Sequence, residues 1–117
     1  MRTFRFFDFP VYTQAKGFYK QILVISLRVK DYSFRDQIKR AALSVVLNIA
    51  EGSAKKSDKE FAKFLEISIA SANEVAACID LMFDFKRISE KEYRYLMDEL
   101  KSIIKQLGGF IKSLRSK

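Results

Sequence analysis

The segment from Gln37 to Gly52, QIKRAALSVVLNIAEG, constrains the fold more than any other part of the chain. At about 100° per residue, Ile38, Ala41, Ala42, Val45, Ile49 and Gly52 fall on one face, the pattern of a helix laid on a core. Beside that face runs a narrow polar stripe of Gln37, Arg40, Ser44, Asn48 and Glu51, and beyond it Leu43, Leu47 and Ala50 form a second apolar strip. Such a helix has too little polar surface to be the wet side of a bundle. Apolar groups on two sides of one short helix call for two partners, the domain's own core and another subunit.

Arg40 and Glu51 share the stripe but stand eleven residues apart, roughly 16 Å at the rise of an α-helix, so they do not pair with each other. Their expected partners lie on neighbouring helices or chains, because a charge held beside buried surface is costly unless it is paired and hydrogen-bonded. Gln37, Arg40, Leu43, Ser44, Leu47, Asn48 and Glu51 are therefore candidates for a subunit interface. The plain alternative is that Arg40 and Glu51 reach solvent past their apolar neighbours.

Three further helices follow from periodicity and capping. After a short irregular lead over residues 1–7, Asp8 is placed to cap a first helix with Pro10 in its opening turn. Val11, Ala15, Phe18, Ile22, Ile25 and Val29 form its apolar face to about Lys30, and Gly17 suggests a close neighbouring helix. Asp31, Tyr32 and Ser33 read as a turn, with Ser33 capping the second helix ahead of Asp36, and Gly52 stands at its C-terminal end. A polar, basic loop spans Ser53 to Lys56.

Ser57 with Glu60 reads as a capping box for the third helix. Its core face is Phe61, Phe64, Leu65, Ser68, Ala72, Val75, Ile79, Met82 and Phe83, and small Ser68, Ser71 and Ala72 invite close approach. Opposite lie Glu66, Asn73, Asp80 and Asp84; seven-residue spacing sets such carboxylates about 10 Å apart, too far for one cation, so the stripe reads as solvated or salt-bridged. Ser89 with Glu92 opens a fourth helix lined by Tyr93, Leu96, Leu100, Ile104, Leu107, Ile111 and Leu114, which Gly108 and Gly109 should weaken or bend. Outside it, Arg94, Lys101, Lys105 and Lys112 share a narrow arc over roughly 27 Å.

Four amphipathic helices with short connections predict an all-α, up-down-up-down four-helix bundle, one domain over residues 1–117. The residues Gln37-Ile-Lys-Arg40-Ala-Ala-Leu-Ser44, Asn48-Ile-Ala-Glu51-Gly52, Ser57, Glu60-Phe61, Phe64-Leu65, Ser71 and Glu74 resemble the signature of the four-helix bundle family encoded by intervening sequences in bacterial 23S ribosomal RNA genes. More distantly they resemble the accessory variability determinant protein of diversity-generating retroelements. The chain departs from the family pattern at Ala70, where glycine is usual, and lacks a proline near Val29. The resemblance implies a homopentamer, adds Glu74 to the interface set as half of a structural ion pair, and implies work alongside nucleic acid and possible partnership with a reverse transcriptase.

A net charge of +8 implies attraction to a polyanion. The charge is uneven, since residues 57–87 carry four basic and six acidic groups while the remaining stretches are basic. Arg94, Lys101, Lys105 and Lys112, joined by Lys39, Lys55 and Lys56, are the candidate phosphate contacts for RNA or DNA, acting as point charges without base readout. The competing readings are a solvated lysine face, or an adaptor whose partner is another protein, for example as an accessory subunit of a reverse transcriptase. An enzyme is not expected, because the chain has no histidine, no carboxylates paired at a working spacing and no phosphate-cradling glycine loop. No cofactor or metal is expected. Lone Cys78 reads as a small core or flank residue in a reducing compartment, the Phe-rich start broken by Arg5, Asp8 and Pro10 is unlike a signal peptide, and no apolar run reaches membrane-spanning length. A cytoplasmic protein with no membrane partner is the expectation.

Overall fold

Helix boundaries in the computed structural model, which describes residues 3–116, follow the chain's capping chemistry. A 3-10 turn over Arg5–Asp8 precedes α1 (Pro10–Ser26), α2 (Tyr32–Ser53), α3 (Asp58–Asp84) and α4 (Glu90–Arg115). Among the described residues there is no strand. Pro10 opens α1, where its missing N–H leaves no hydrogen bond unmade, but the capping position belongs to Phe9 and not to Asp8. Helix α1 stops at Ser26, short of the expected Lys30, and Val29 reaches the core from the connecting segment. The cap of α2 is Asp31 rather than Ser33: its carboxylate accepts the Phe34 N–H at 3.1 Å, and a carboxylate at a helix N-terminus also meets the positive end of the dipole.

The third and fourth helices begin as read, with one difference between them. Ser89 and Glu92 close a full capping box, the Ser89 N–H donating to Glu92 Oε1 at 2.9 Å and the Glu92 N–H to Ser89 Oγ at 3.1 Å. At α3 the Glu60 N–H donates to Ser57 Oγ at 3.1 Å, but the Glu60 carboxylate takes the Ser57 hydroxyl instead of a backbone N–H. Gly108 and Gly109 do not end or interrupt α4, which is helical through both. The apolar rows on either side supply the stability that two glycines withhold.

Cross-helix contacts fix the topology. Gln37 meets Glu74 and Val45 meets Ser68, so α2 and α3 run antiparallel; Gln14 meets Gln106 and Arg28 meets Glu92, so α1 and α4 do too. Neighbours in sequence are neighbours in space, α1 closes against α4, and α1–α3 and α2–α4 are diagonal pairs whose backbones stay apart among the described residues. The result is an up-down-up-down bundle measuring 45 × 22 × 20 Å. One continuous core holds most of the predicted faces, with Phe18, Ile22, Ile38, Ile49, Phe61, Leu65, Ile79, Met82, Leu100, Ile103 and Leu107 at its centre; of the predicted residues, half-buried Phe64 stays outside the core cluster, and on α4 it is Ile103 that is fully buried while Ile104 is only partly so. Phe9, Phe61 and Phe110 close one end with rings 5.0 to 6.3 Å apart.

Of the two glycines of the first half, Gly17 lacks its expected role and Gly52 has one more than expected. A Cβ at Gly17 would meet no atom within 4 Å, so no helix crowds it. Gly52 stands where expected, one residue before the end of α2, without a left-handed φ; it is also buried, and a Cβ there would stand 2.7 Å from Phe64 Cβ and 3.0 Å from Phe61 Cδ1. It is a close approach of α2 to α3, and at mid-length Ser68 Oγ donates to the Val45 carbonyl at 3.0 Å.

Arg28, just past α1, holds the first turn of α4 through paired contacts of 2.9 Å to both Glu92 oxygens. That guanidinium first, then the Ser89 N–H, lowers the Glu92 carboxyl from its ordinary 4.5 to about 2. The folded value lies below the unfolded one, so the contribution is complete above pH 4.5 and is lost as pH falls toward 2. Both side chains are substantially exposed, and screening keeps the contribution below about 1 kcal/mol. Chemical denaturation across that window should give a shallower acid loss for Glu92→Gln than for the parent chain.

Candidate functional site

Two surfaces carry the sequence-derived candidates, and they lie on different sides of the bundle. The first is the outer face of α2 and α3. Leu47 is 52% exposed there, as its position on the second apolar strip requires, while Leu43 is half-buried. The polar stripe of α2 turns inward onto α3 within the same chain: Ser44 and Ser71 hydroxyls lie 2.7 Å apart, Asn48 Nδ2 donates to the Ser44 carbonyl at 2.9 Å, and the Gln37 amide donates to Glu74. Glu74 is therefore held by an amide and not by the expected cation. Arg40 likewise finds its partner on its own helix, Asp36 one turn back at 2.9 Å, and projects into solvent with exposed Glu51. The stripe fixes the register of α2 on α3 first, and leaves Leu47, Glu51 and the Arg40–Asp36 pair at the surface.

A strip on α3, absent from the candidate set, extends this face. Ile67, Ala70, Glu74, Ala77 and Leu81 are all exposed and repeat at alternating three- and four-residue steps, the spacing of a coiled-coil contact row. The strip was visible as Ile67 and Leu81 flanking Glu74, but a helix that already owns a complete core face gives no reason to look for a second. It ends at Phe85, 58% exposed, beside an open groove of about 380 Å³ lined by Val29, Phe34 and Leu81.

The second surface is cationic. Lys101, Lys105 and Lys112 project from the outside of α4 and have no acidic partner among the described residues. Arg94 pairs with Glu90 one turn back at 2.8 Å, so the stripe's effective charge is concentrated in the C-terminal half of α4. On α3 the predicted acidic stripe is solvated, and Glu66 bridges to Arg115 at 2.6 Å. Lys39 does not join this stripe. α2 and α4 occupy opposite corners, so half-buried Lys39 lies across the bundle from it. Lys55 packs its ammonium 4.8 Å above the Phe64 ring, and exposed Lys56 follows at the end of the bundle where α4 finishes.

Helix α1 adds cations that the sequence reading passed over. Pro10–Ser26 contains Lys16 and Lys20 and no acidic residue. The signal was compositional, and was hidden because residues 1–32 include Asp8 and Asp31 on either side of the helix. Cys78 is buried at the α2–α3 side of the core, where burial first and the nearby Glu74 charge second push its thiol above its ordinary value. Among the described residues no three Cys, Asp or Glu side chains converge as a cation site, and no helix is long and apolar enough to cross a membrane.

Fold and surface together define a small basic four-helix bundle with an uncovered α2–α3 face. The chain belongs to the 23S rRNA-intervening sequence protein family, whose model matches residues 8–109. Its fold is similar to the crystal structure of a protein of unknown function from the S23 ribosomal protein family of Bacteroides thetaiotaomicron. The two agree with a TM-score of 0.82 at 24% identity, over 87% of this chain and 98% of that one. No curated protein matches the chain.

Proposed function

We propose that this chain is a non-enzymatic bundle that self-associates through the outer α2–α3 face and binds nucleic acid through lysine–phosphate contacts. The observation that carries the reading is the trio Lys101, Lys105 and Lys112, exposed along one side of α4 without acidic partners in a chain of net charge +8. Association supplies what three point charges lack. In a closed ring, five-membered by the family resemblance, each trio is repeated, and weak contacts add to an avid surface.

Filter binding of generic RNA and DNA at rising salt tests this. Log affinity should fall linearly with log salt, and exchanging the three lysines for glutamine should reduce the magnitude of that slope by about 2 to 3, since each neutralised phosphate contributes about 0.7 to 0.9. An unchanged slope removes α4 from the interface. Absence of binding at low salt favours the second reading, a protein adaptor such as an accessory subunit of a reverse transcriptase. The uncovered strip running from Ile67 to Phe85 supports that reading, because a helix face of this kind accepts a partner helix as readily as another copy.

A further inference from the structure

The N-terminal end of the bundle displays aromatic rings instead of burying them. Phe4 is 63% exposed and Phe7 56%, although both belong to a chain whose other phenylalanines largely serve the core. They are held as a cluster: Phe4 meets Phe6 and Phe7 edge-on at 6.1 Å, Phe6 lies 4.5 Å from Phe7, and Tyr12 of α1 braces Phe6 at 4.9 Å. Phe4 adopts the left-handed region at φ 58°, a conformation that side chains with a Cβ rarely take. Arg5, between the exposed rings, is turned inward, its Nε donating to the Ser53 carbonyl at 3.1 Å and its guanidinium lying over Phe61. The turn is thus fastened through Arg5 while its neighbours point out.

Cations begin where the rings end. Lys16 Nζ sits 5.0 Å from the Tyr12 ring centroid, and Lys20 is exposed one turn further along acid-free α1. Lys39 stands on the flank of α2 away from Gln37 and Ser44, which face α3; it is therefore on the α1 side, at the height of Lys20 counted from the turn that joins the two helices. Exposed aromatic rings followed by a line of lysines are the two components of single-strand recognition: bases stack on the rings while the backbone follows the charge. A duplex has its bases stacked internally and offers these rings nothing. A second copy of the chain would bring the same positive charge to the patch. An anionic membrane would want a continuous apolar helix face, and the turn that carries these rings is four residues long.

Resting on the nucleic-acid reading above, we infer that Phe4 and Phe7, with Lys16, Lys20 and Lys39, form a site for single-stranded nucleic acid, separate from the α4 lysines. The test is fluorescence anisotropy of the full chain with a short mixed-sequence oligonucleotide, single-stranded and as its duplex. Combined Phe4→Ala and Phe7→Ala should weaken the single strand about 10-fold or more without changing its salt slope, and leave the duplex unaffected. Tyrosine at both positions keeps a π face and should retain binding, whereas leucine keeps only the apolar bulk and should not. Lys16→Gln with Lys20→Gln should lower the slope by about 1.4.

A single-strand affinity within twofold of the parent for the alanine pair, or full retention by the leucine pair, overturns the site while the α4 contacts stand. No binding of either oligonucleotide at low salt overturns both readings. Loss of phosphatidylserine-vesicle binding in the alanine pair, or a change of its solution mass, reassigns the rings to a membrane or to self-assembly and overturns the inference. Circular dichroism of each variant separates these outcomes from unfolding.

Discussion

Replacing Gly52 with valine is expected to lower the free energy of unfolding by about 2 to 3 kcal/mol, read from the midpoint of a denaturant titration. A Cβ at this position would stand 2.7 Å from Phe64 Cβ, which is fixed to the α3 backbone and cannot swing aside, and 3.0 Å from the buried Phe61 ring. Relief requires α2 and α3 to separate at this close approach, and the Ser68 to Val45 hydrogen bond lies on the same helix contact. Gly108→Ala is the counterpart. No atom lies within 4 Å of its Cβ position and the residue is exposed in mid-helix, so alanine should stabilise by about 0.5 to 1 kcal/mol through backbone entropy alone. The same class of change then has opposite signs at two helical glycines. A neutral Gly52→Val would show that α2 and α3 are not in contact as described.

On the self-association proposed above, Leu47→Glu is expected to leave a 13.6 kDa particle without loss of helix content, measured by sedimentation velocity and circular dichroism. The side chain is half in solvent and outside the core cluster, so a carboxylate there costs the isolated chain little. Against another copy it would be desolvated beside Ile67 and Leu81, without a partner. Ile67→Glu should act in the same way if α2 and α3 share one interface. A parent chain that sediments as a single copy at working concentration would remove self-association from the proposed function, whatever the variants do.

Helix number, order and core faces were legible because 3.6-residue periodicity depends on each helix's own sequence. Val11, Ile22, Ile38, Val45, Leu65, Ile79, Leu100 and Leu107 are buried where the pattern put them. The misreadings arise where several residues are chemically fit for one job. Asp31 and Ser33 are both good caps, and the choice rests on which one the backbone leaves extended. Gly52 was read only as a helix end, which it is, and the position of Phe64 adds that it also serves packing. Arg40 was expected to look outward for a partner because eleven residues separate it from Glu51, yet Asp36, one turn back, was in plain view.

The surface was less legible than the core, for a geometric reason. Periodicity places Lys101, Lys105 and Lys112 on one side of a helix but does not say which helices are diagonal, so Lys39 was grouped with cations that lie across the bundle. The exposed row from Ile67 to Leu81 was masked by the stronger core signal of the same helix. The rings at Phe4 and Phe7 gave no periodic signal, since they lie in a turn.

The partition of charge between helices has a kinetic corollary. Acid-free α1 and the carboxylates of α3 occupy opposite corners, which gives the molecule an electric dipole across its short dimension. On the nucleic-acid reading proposed above, the field of the polyanion exerts a torque on that dipole, so the protein would arrive already turned with α1 leading and α3 trailing. Raising ionic strength should then slow capture before it shortens residence, because orientation is achieved at a distance where screening acts first.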